Sequence, residues 1–234
     1  MYSIETKVYP SACDGNGKMK LYRVMQTMQD CSELWLQSEP CFEHYFQENG
    51  MTQLLAYRQL DILRQPSYGE DLKVTTSVYE VNALFGNRNT CIYDAAGKAC
   101  YVSWGMGAFV NRSTGRLQKV PQEVLDSVRM DPRIDMPYTE RRIILPDGEW
   151  KEYGTIDVSR HDIDYNRHVN NAEYLRIALE LLPEDFAPRR IRIEYKIAAK
   201  RGDCMRTKML NADNDIYVVL SIGDHISTAF HFCR

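Results

Sequence analysis

The sequence predicts an α+β fold made twice, each copy an antiparallel sheet wrapped around a long central helix. Three observations lead there. The stretch CDGNGKMKLYRVM near the start is echoed by IDYNRHVNNAEYL in the second half, so that Asp14, Asn16 and Lys18 stand 150 residues before Asp164, Asn166 and His168. Each motif follows a short β-rich run and leads into a helical pattern. The rest of each half consists of alternating runs broken by turn signals, the mark of an antiparallel meander.

Taken in order, Ile4, Thr6 and Val8 alternate ahead of the first motif. The helix after it, about residues 18–37, carries Leu21, Val24, Met25, Met28, Leu34 and Trp35 at helical spacing. LDILRQPSYGED at 60–71 then matches IEYKIAAKRGDC at 193–204, with Asp61 opposite Glu194 and Gly69-Glu70 opposite Gly202-Asp203. The offset there is 133, so the first copy holds 17 extra residues between helix and strand. KVTTSVYEV, RNTCIYDA and KACYVSWGM read as strands around the turn AAGK, and NRSTG is a further turn. Residues 131–148 include Pro132, Pro137 and Pro146 and read as a linker, which sets the expected domains at 1–130 and 149–234. In the second copy Thr155, Ile156 and Val158 precede the motif. From Ala172 to Leu182 the polar residues Glu173, Arg176 and Glu180 form one stripe, apolar residues cover the rest, and Pro183 stops the helix. RTKML and DIYVVLSI flank the turn NADND.

Composition narrows the function. At 44% hydrophobic and 26% charged the chain can form a core and is not a disordered polymer. Lysine plus arginine is 29 against 32 acids, a net charge of −3, which argues against broad binding of nucleic acid or anionic membranes. No run approaches the roughly 20 apolar residues of a membrane helix. MYSIETKVYP is no basic-then-apolar leader, so the expected location is cytoplasmic. Seven cysteines without a CxxC pair suggest free thiols. No metal-ligand spacing or nucleotide motif appears, and no cofactor is expected.

Asp164, Asn166 and His168 alternate just before a helix start, where unpaired amides and a partial positive charge collect. Asn170 and Asn171 are acceptable caps, so the helix amides beside them are candidates to hold a developing oxyanion. A neutral histidine there is a base or a partner for water. The same residues also fit an ordinary turn and cap, and a loop histidine is commonly solvent-facing. His44, His161, His225 and His231 lack any such motif. Lys18 replaces histidine in the first copy, which reads as a vestigial site. Cys13 and Cys204 fit burial or chance placement better than nucleophilic chemistry.

DIDYNRHVNNAEYL resembles the D-x-D-x-x-x-H-V-N-N-x-x-Y pattern of hotdog-fold thioesterases, and more narrowly the acyl-acyl carrier protein (acyl-ACP) thioesterases. YVSWGMGAFVNRSTGRLQKVPQEV at 101–124 and RIRIEYKIAAKRGD at 190–203 are similar to two further segments of that family. The resemblance implies two tandem hotdog domains and a hydrolase that frees fatty acids from acyl carrier protein. It also implies that Asp164, Asn166 and His168 are the catalytic set. One departure stands out: where relatives carry Glu-Cys or a retained glutamate, this chain has Ala198 and Ala199.

An acidic carrier protein asks for a basic docking patch. Arg189, Arg190, Arg192 and Lys196 are one candidate, and Arg141-Arg142 another, although a solvated strand face fits equally. Leu21, Met25 and Met28 are candidates for an acyl pocket, with core packing the alternative use of such a stripe. An acyl-CoA thioesterase of the same fold and a non-catalytic acyl-binding protein are the competing functions. Two hotdogs in one chain make a monomer sufficient, with a homodimer open.

Overall fold

A computed structural model describes residues 1–234. The chain divides into two compact units, Met1–Arg58 with Ile62–Tyr138, and Gln59–Asp61 with Thr139–Arg234.

The first unit runs β1 (Tyr2–Lys7), α1 (Leu21–Leu36), α2 (Pro40–Glu48), β2 (Met51–Ile62), β3 (Asp71–Val81), β4 (Phe85–Asp94), β5 (Ala99–Asn111) and the short α3 (Gln122–Leu125). Its strand order is β1-β3-β4-β5-β2. The helix α1 buries Val24, Met25, Met28, Cys31 and Trp35, one stripe at helical spacing, and turns its polar residues outward. The 17-residue insertion forms α2, a helix the sequence analysis did not anticipate. Pro40 opens it, where a missing N–H costs nothing. Phe42 and Phe46, one turn apart, pack at 4.5 Å from each other and meet Phe109 edge-on. Burying each such ring contributes about 1.5–3 kcal/mol.

Residues 131–148 contain no helix and no regular strand, yet they are not a slack tether. Up to Tyr138 they belong to the first unit: Met136 packs with Tyr57 and Trp104, and the Tyr138 hydroxyl donates to Asn89 Oδ1 at 3.0 Å. From Thr139 they belong to the second, where the Thr139 amide and hydroxyl donate to Gln59 Oε1 at 3.0 and 2.8 Å. Ile143 is buried, and its amide donates to Glu194 Oε2 at 3.2 Å.

The second unit contains β6 (Lys151–Asp157), α4 (Asn171–Leu179), β7 (Arg190–Tyr195), β8 (Cys204–Ala212), β9 (Asp215–Ile222) and β10 (His225–Cys233), ordered β7-β10-β9-β8-β6. The expectation of a long central helix holds for α1, at 16 residues, but α4 has nine. It ends at Leu179, four residues before Pro183, whose ring would clash with the Leu179 carbonyl in a continuing helix. The chain tightens instead, with the amides of Leu181 and Leu182 donating to Ala178 O and Leu179 O. Both units have the hotdog fold, a sheet curled on a helix. All seven cysteines are free, and no helix is long and apolar enough to cross a membrane.

Candidate active site

The two motifs fold into the same loop. In each copy a single 3-10 turn, Pro10–Ala12 or Arg160–Asp162, leads into it, and the helix starts seven residues after the motif aspartate, at Leu21 or Asn171. Asp14 Oδ1 accepts from the amides of Asn16 and Lys18, both at 2.9 Å. Asp164 Oδ1 accepts from those of Asn166 at 2.8 Å and His168 at 3.4 Å. The pair Asp14 N to Lys18 O is repeated by Asp164 N to His168 O, each 2.8 Å. Even the left-handed residue recurs, as Gly17 at φ 71° and Arg167 at φ 65°. One carboxylate oxygen of the motif aspartate therefore builds the loop in both copies.

What differs is the side chain two positions before the cap. Lys18 Nζ donates to Ser67 Oγ at 2.9 Å and is used up locally. In the second unit Asn166 Oδ1 and His168 Nδ1 are buried and take no hydrogen bond within the chain. A buried polar atom without a partner costs about 1–3 kcal/mol. Two of them within three residues mark where a bound group would supply what the protein does not. The carboxylate of Asp164 touches neither side chain directly; the three residues are joined through the loop backbone.

Asn170 caps α4, its side-chain oxygen accepting from Ala172 N at 2.9 Å, while Glu173 N donates to Asn170 O. Two first-turn amides are thus committed, which narrows the expected oxyanion donors to the start of the helix at Asn171. The carbonyl of Asn171 accepts from Tyr195 Oη at 3.2 Å.

The segment with Ala198 lies against this loop, for Val169 N donates to Ala199 O at 2.9 Å. Ala199 is buried and its amide donates to the Tyr174 hydroxyl at 2.7 Å, while Ser227 Oγ donates to Ile197 O at 2.6 Å. Burial pushes the Tyr174 phenol above its ordinary pKa, and the charges of Asp203 and Asp164 add to the rise. The nearby acids are tied into structure: Asp162 closes a capping box with Ser159, Glu173 pairs with Arg176 at 2.6 Å, and Asp203 accepts from Lys200 N at 2.8 Å.

Family models for the acyl-ACP thioesterase N-terminal domain and C-terminal domain match residues 1–128 and 148–224. The chain belongs to the acyl-ACP thioesterase family. It is 26% identical over 164 residues to a chloroplast acyl-[acyl-carrier-protein] hydrolase of Cuphea viscosissima, covering 66% of this chain and 38% of that protein. An oleoyl-acyl carrier protein thioesterase of Arabidopsis thaliana is 25% identical over 162 residues, 63% of this chain and 45% of the relative. The chain thus spans less than half the length of these curated relatives. Among solved structures, an acyl-ACP thioesterase from Bacteroides thetaiotaomicron superposes with a TM-score of 0.85 at 20% identity, covering 99% of this chain and 96% of the other. The 12:0-ACP thioesterase of Umbellularia californica gives 0.85 at 14% identity, with the same coverage of both chains.

In this member of the acyl-ACP thioesterase family the expected basic patch is largely spent. Arg190 grips Asp61 with two bonds of 2.6 and 2.8 Å, Arg192 donates to the carbonyls of Glu140 and Arg142, and Lys196 pairs with Glu194 at 3.5 Å. Arg189 is exposed, as are Arg141 and Arg142. In the first unit Met25 and Met28 are buried and Leu21 partly so. A crevice lies farther along α1, lined by Trp35, Phe42, Gln53, Arg88 and Phe109 among others. Neither Gln53 nor Arg88 was singled out from sequence; the glycines of the WGMG run were the available sign.

Asp215, His231 and Cys233 bring an oxygen, a nitrogen and a sulfur within 4.8 Å of one another. Arg192 donates to His231 Nδ1 at 3.1 Å, which leaves the ring proton on Nε2, facing Asp215 Oδ2 at 2.6 Å. That nitrogen has no lone pair to give a metal in this arrangement.

Proposed function

We propose that the chain hydrolyses fatty acyl thioesters carried on acyl carrier protein and releases free fatty acid. The observation that carries the reading is the pair of buried, unpartnered atoms, Asn166 Oδ1 and His168 Nδ1, on the Asp164 loop. Two acceptors match the two donors of one water molecule and leave its lone pairs free. In the reaction, His168 takes a proton from that water as its oxygen adds to the thioester carbonyl. Asp164, whose second oxygen is not needed by the loop, supplies the negative charge that faces the positive charge developing in the reaction. The first amide of α4 supports the oxyanion. When the tetrahedral intermediate collapses, the C–S bond breaks and His168 returns the proton to the leaving thiolate. Ala198 offers no nucleophile, so water is the nucleophile in this scheme.

Ala198 also favours a second reading, an acyl-binding protein with weak or no hydrolysis. Turnover on one acyl chain presented on carrier protein and on CoA decides among the readings. Faster release from carrier protein supports the proposal, preference for CoA makes the chain an acyl-CoA thioesterase, and no release from either sinks hydrolysis. Carrier docking is proposed for Arg189 with Arg141 and Arg142. Arg189→Glu should raise KM for carrier-bound substrate, less so at high salt, and an unchanged KM would remove that surface.

A further inference from the structure

The two copies of the motif share a backbone frame but not the side chains beneath it. In the first, Met19 N donates to Pro66 O at 2.9 Å, and the amides of Leu63 and Arg64 both donate to Cys100 O at 3.0 Å. In the second, Val169 N donates to Ala199 O at 2.9 Å, and the amides of Lys196 and Ile197 donate to Ser227 O at 2.8 and 3.1 Å. These are the same bonds at equivalent places. They hold the irregular stretch after β2 or β7 against the loop that carries Lys18 or His168.

Only the second copy adds hydroxyls to this frame. Tyr174 stands where the first has Val24, Tyr195 where it has Ile62, and Ser227 where it has Cys100. Tyr174 and Ser227 are buried, so each hydroxyl needs a partner inside the protein. Ala199 N donates to Tyr174 Oη at 2.7 Å, Tyr174 is bonded to the Ser227 side chain, and Ser227 Oγ donates to Ile197 O at 2.6 Å. Ser227 spends its one proton on that carbonyl, so the phenol proton goes to Ser227 Oγ and the relay runs in one sense. It begins and ends on residues 197–199, which pins both peptide groups that flank Ala198. The first copy has no such relay: Val24 offers no polar atom, and Pro66, at the place of Ala199, has no amide hydrogen.

Both copies close the same backbone, and the first does so without the relay, so the fold does not require it. The relay occurs where the histidine is. Ala199 O holds Val169 N, the neighbour of His168, so whatever fixes Ala199 also fixes the backbone that presents the imidazole. Tyr195 works on the same place from the other side, donating to Asn171 O in the first turn of α4 and meeting the Tyr174 ring edge-on at 5.9 Å. We propose that Tyr174 and Ser227 are positioning residues for the reaction at His168. Their relay holds the 197–199 segment and, through the Ala199–Val169 bond, sets where the imidazole meets the water it shares with Asn166. A general base acts only within hydrogen-bond reach, and a misplacement of about 1 Å can cost on the order of 100-fold. The proposal rests on the thioesterase reading and assigns two further residues to that site.

The test uses the full chain with Tyr174→Phe, Ser227→Ala and the double variant, on whichever of dodecanoyl-, palmitoyl- and oleoyl-ACP the wild type turns over fastest. Each single variant should lower kcat by roughly ten- to 100-fold and leave KM within about twofold. The double variant should be little worse than either, because one relay is broken once. Ser227→Thr keeps the hydroxyl and should retain most of the turnover. A folded Tyr174→Phe with wild-type kcat would overturn the proposal, as would equal losses in Ser227→Thr and Ser227→Ala. A second readout does not depend on turnover. In a chain carrying isotopically labelled histidine, the His168 ring is the signal that vanishes in His168→Ala. That signal should shift or broaden in Tyr174→Phe while those of the exposed His44 and His225 stay in place. If Tyr174→Phe does not fold, Ser227→Ala carries both readouts. An unmoved His168 ring would overturn the positioning role whatever the activity. A moved ring in a chain that hydrolyses no acyl thioester would sink the hydrolase reading alone.

Discussion

Asp164 builds its loop with one oxygen, and the proposed reaction uses the charge of the other. Oδ1 holds the loop, as Asp14 does in the copy that carries Lys18 at the histidine position. Asp164→Asn keeps an oxygen for the loop amides and removes the charge. It should leave the melting temperature within a degree or two and lower turnover by about 100-fold or more. Asp14→Asn is the control and should change neither. His168→Ala should match the first loss, and the double variant should be little worse than either single one; additive losses would separate the two residues. Ala198→Glu probes the missing acid: a large gain would mean a weakened enzyme, and little gain would fit water activated at His168. Away from the site, His231 carries a pH signature. Burial, helped by Arg192 and Arg190, depresses its pKa below 6.5 despite the bond to Asp215. The fold therefore prefers the neutral ring, and this contribution is present above pH 6.5 and is lost as pH falls through the depressed value. Denaturant titrations from pH 7.5 to 5 should show declining stability that His231→Gln flattens; parallel curves would refute the assignment.

The motif loop is the element the sequence displayed best. Its residues are local, so spacing alone reveals that Asp14 and Asp164 serve equivalent places. The left-handed position is local too: Gly17 suits φ 71° without strain, whereas Arg167 at φ 65° costs about 1–2 kcal/mol. Arg167→Gly should therefore stabilise the chain, by up to about 1 kcal/mol once the extra freedom of glycine in the unfolded state is deducted. Chemical denaturation measures it, and a destabilised variant would show that the arginine side chain holds the loop. The helix α2 was less legible, although Pro40, Phe42 and Phe46 carried its start and its buried face; nine residues give a short periodic signal. Least legible were contacts between distant strands. The arginines at 190 and 192 look like a free basic stripe because their partners, Asp61 and the carbonyls of Glu140 and Arg142, lie far off in sequence.

At the scale of the whole molecule, the second unit borrows Gln59–Asp61 from the strand β2. Asp61 is buried, pairs with Arg190 through two bonds, and accepts a third from Gln59 Nε2 at 3.0 Å. Asp61→Asn leaves that guanidinium facing a neutral amide. It should destabilise the second unit by about 3 kcal/mol, the lower end of the ~3–5 kcal/mol seen when a buried pair loses one member. A calorimetric trace unchanged from wild type would show the pair to be incidental.

This borrowing also sets an order in time. During synthesis the ribosome delivers Gln59 and Asp61 early, but Thr139 comes 80 residues after Gln59 and Arg190 129 residues after Asp61. At about 5–20 residues per second, Asp61 waits on the order of ten seconds for its counter-ion. Through that interval the nascent chain carries Asp61 without its counter-ion and Gln59 without Thr139, open to water or to a chaperone until those partners have been made.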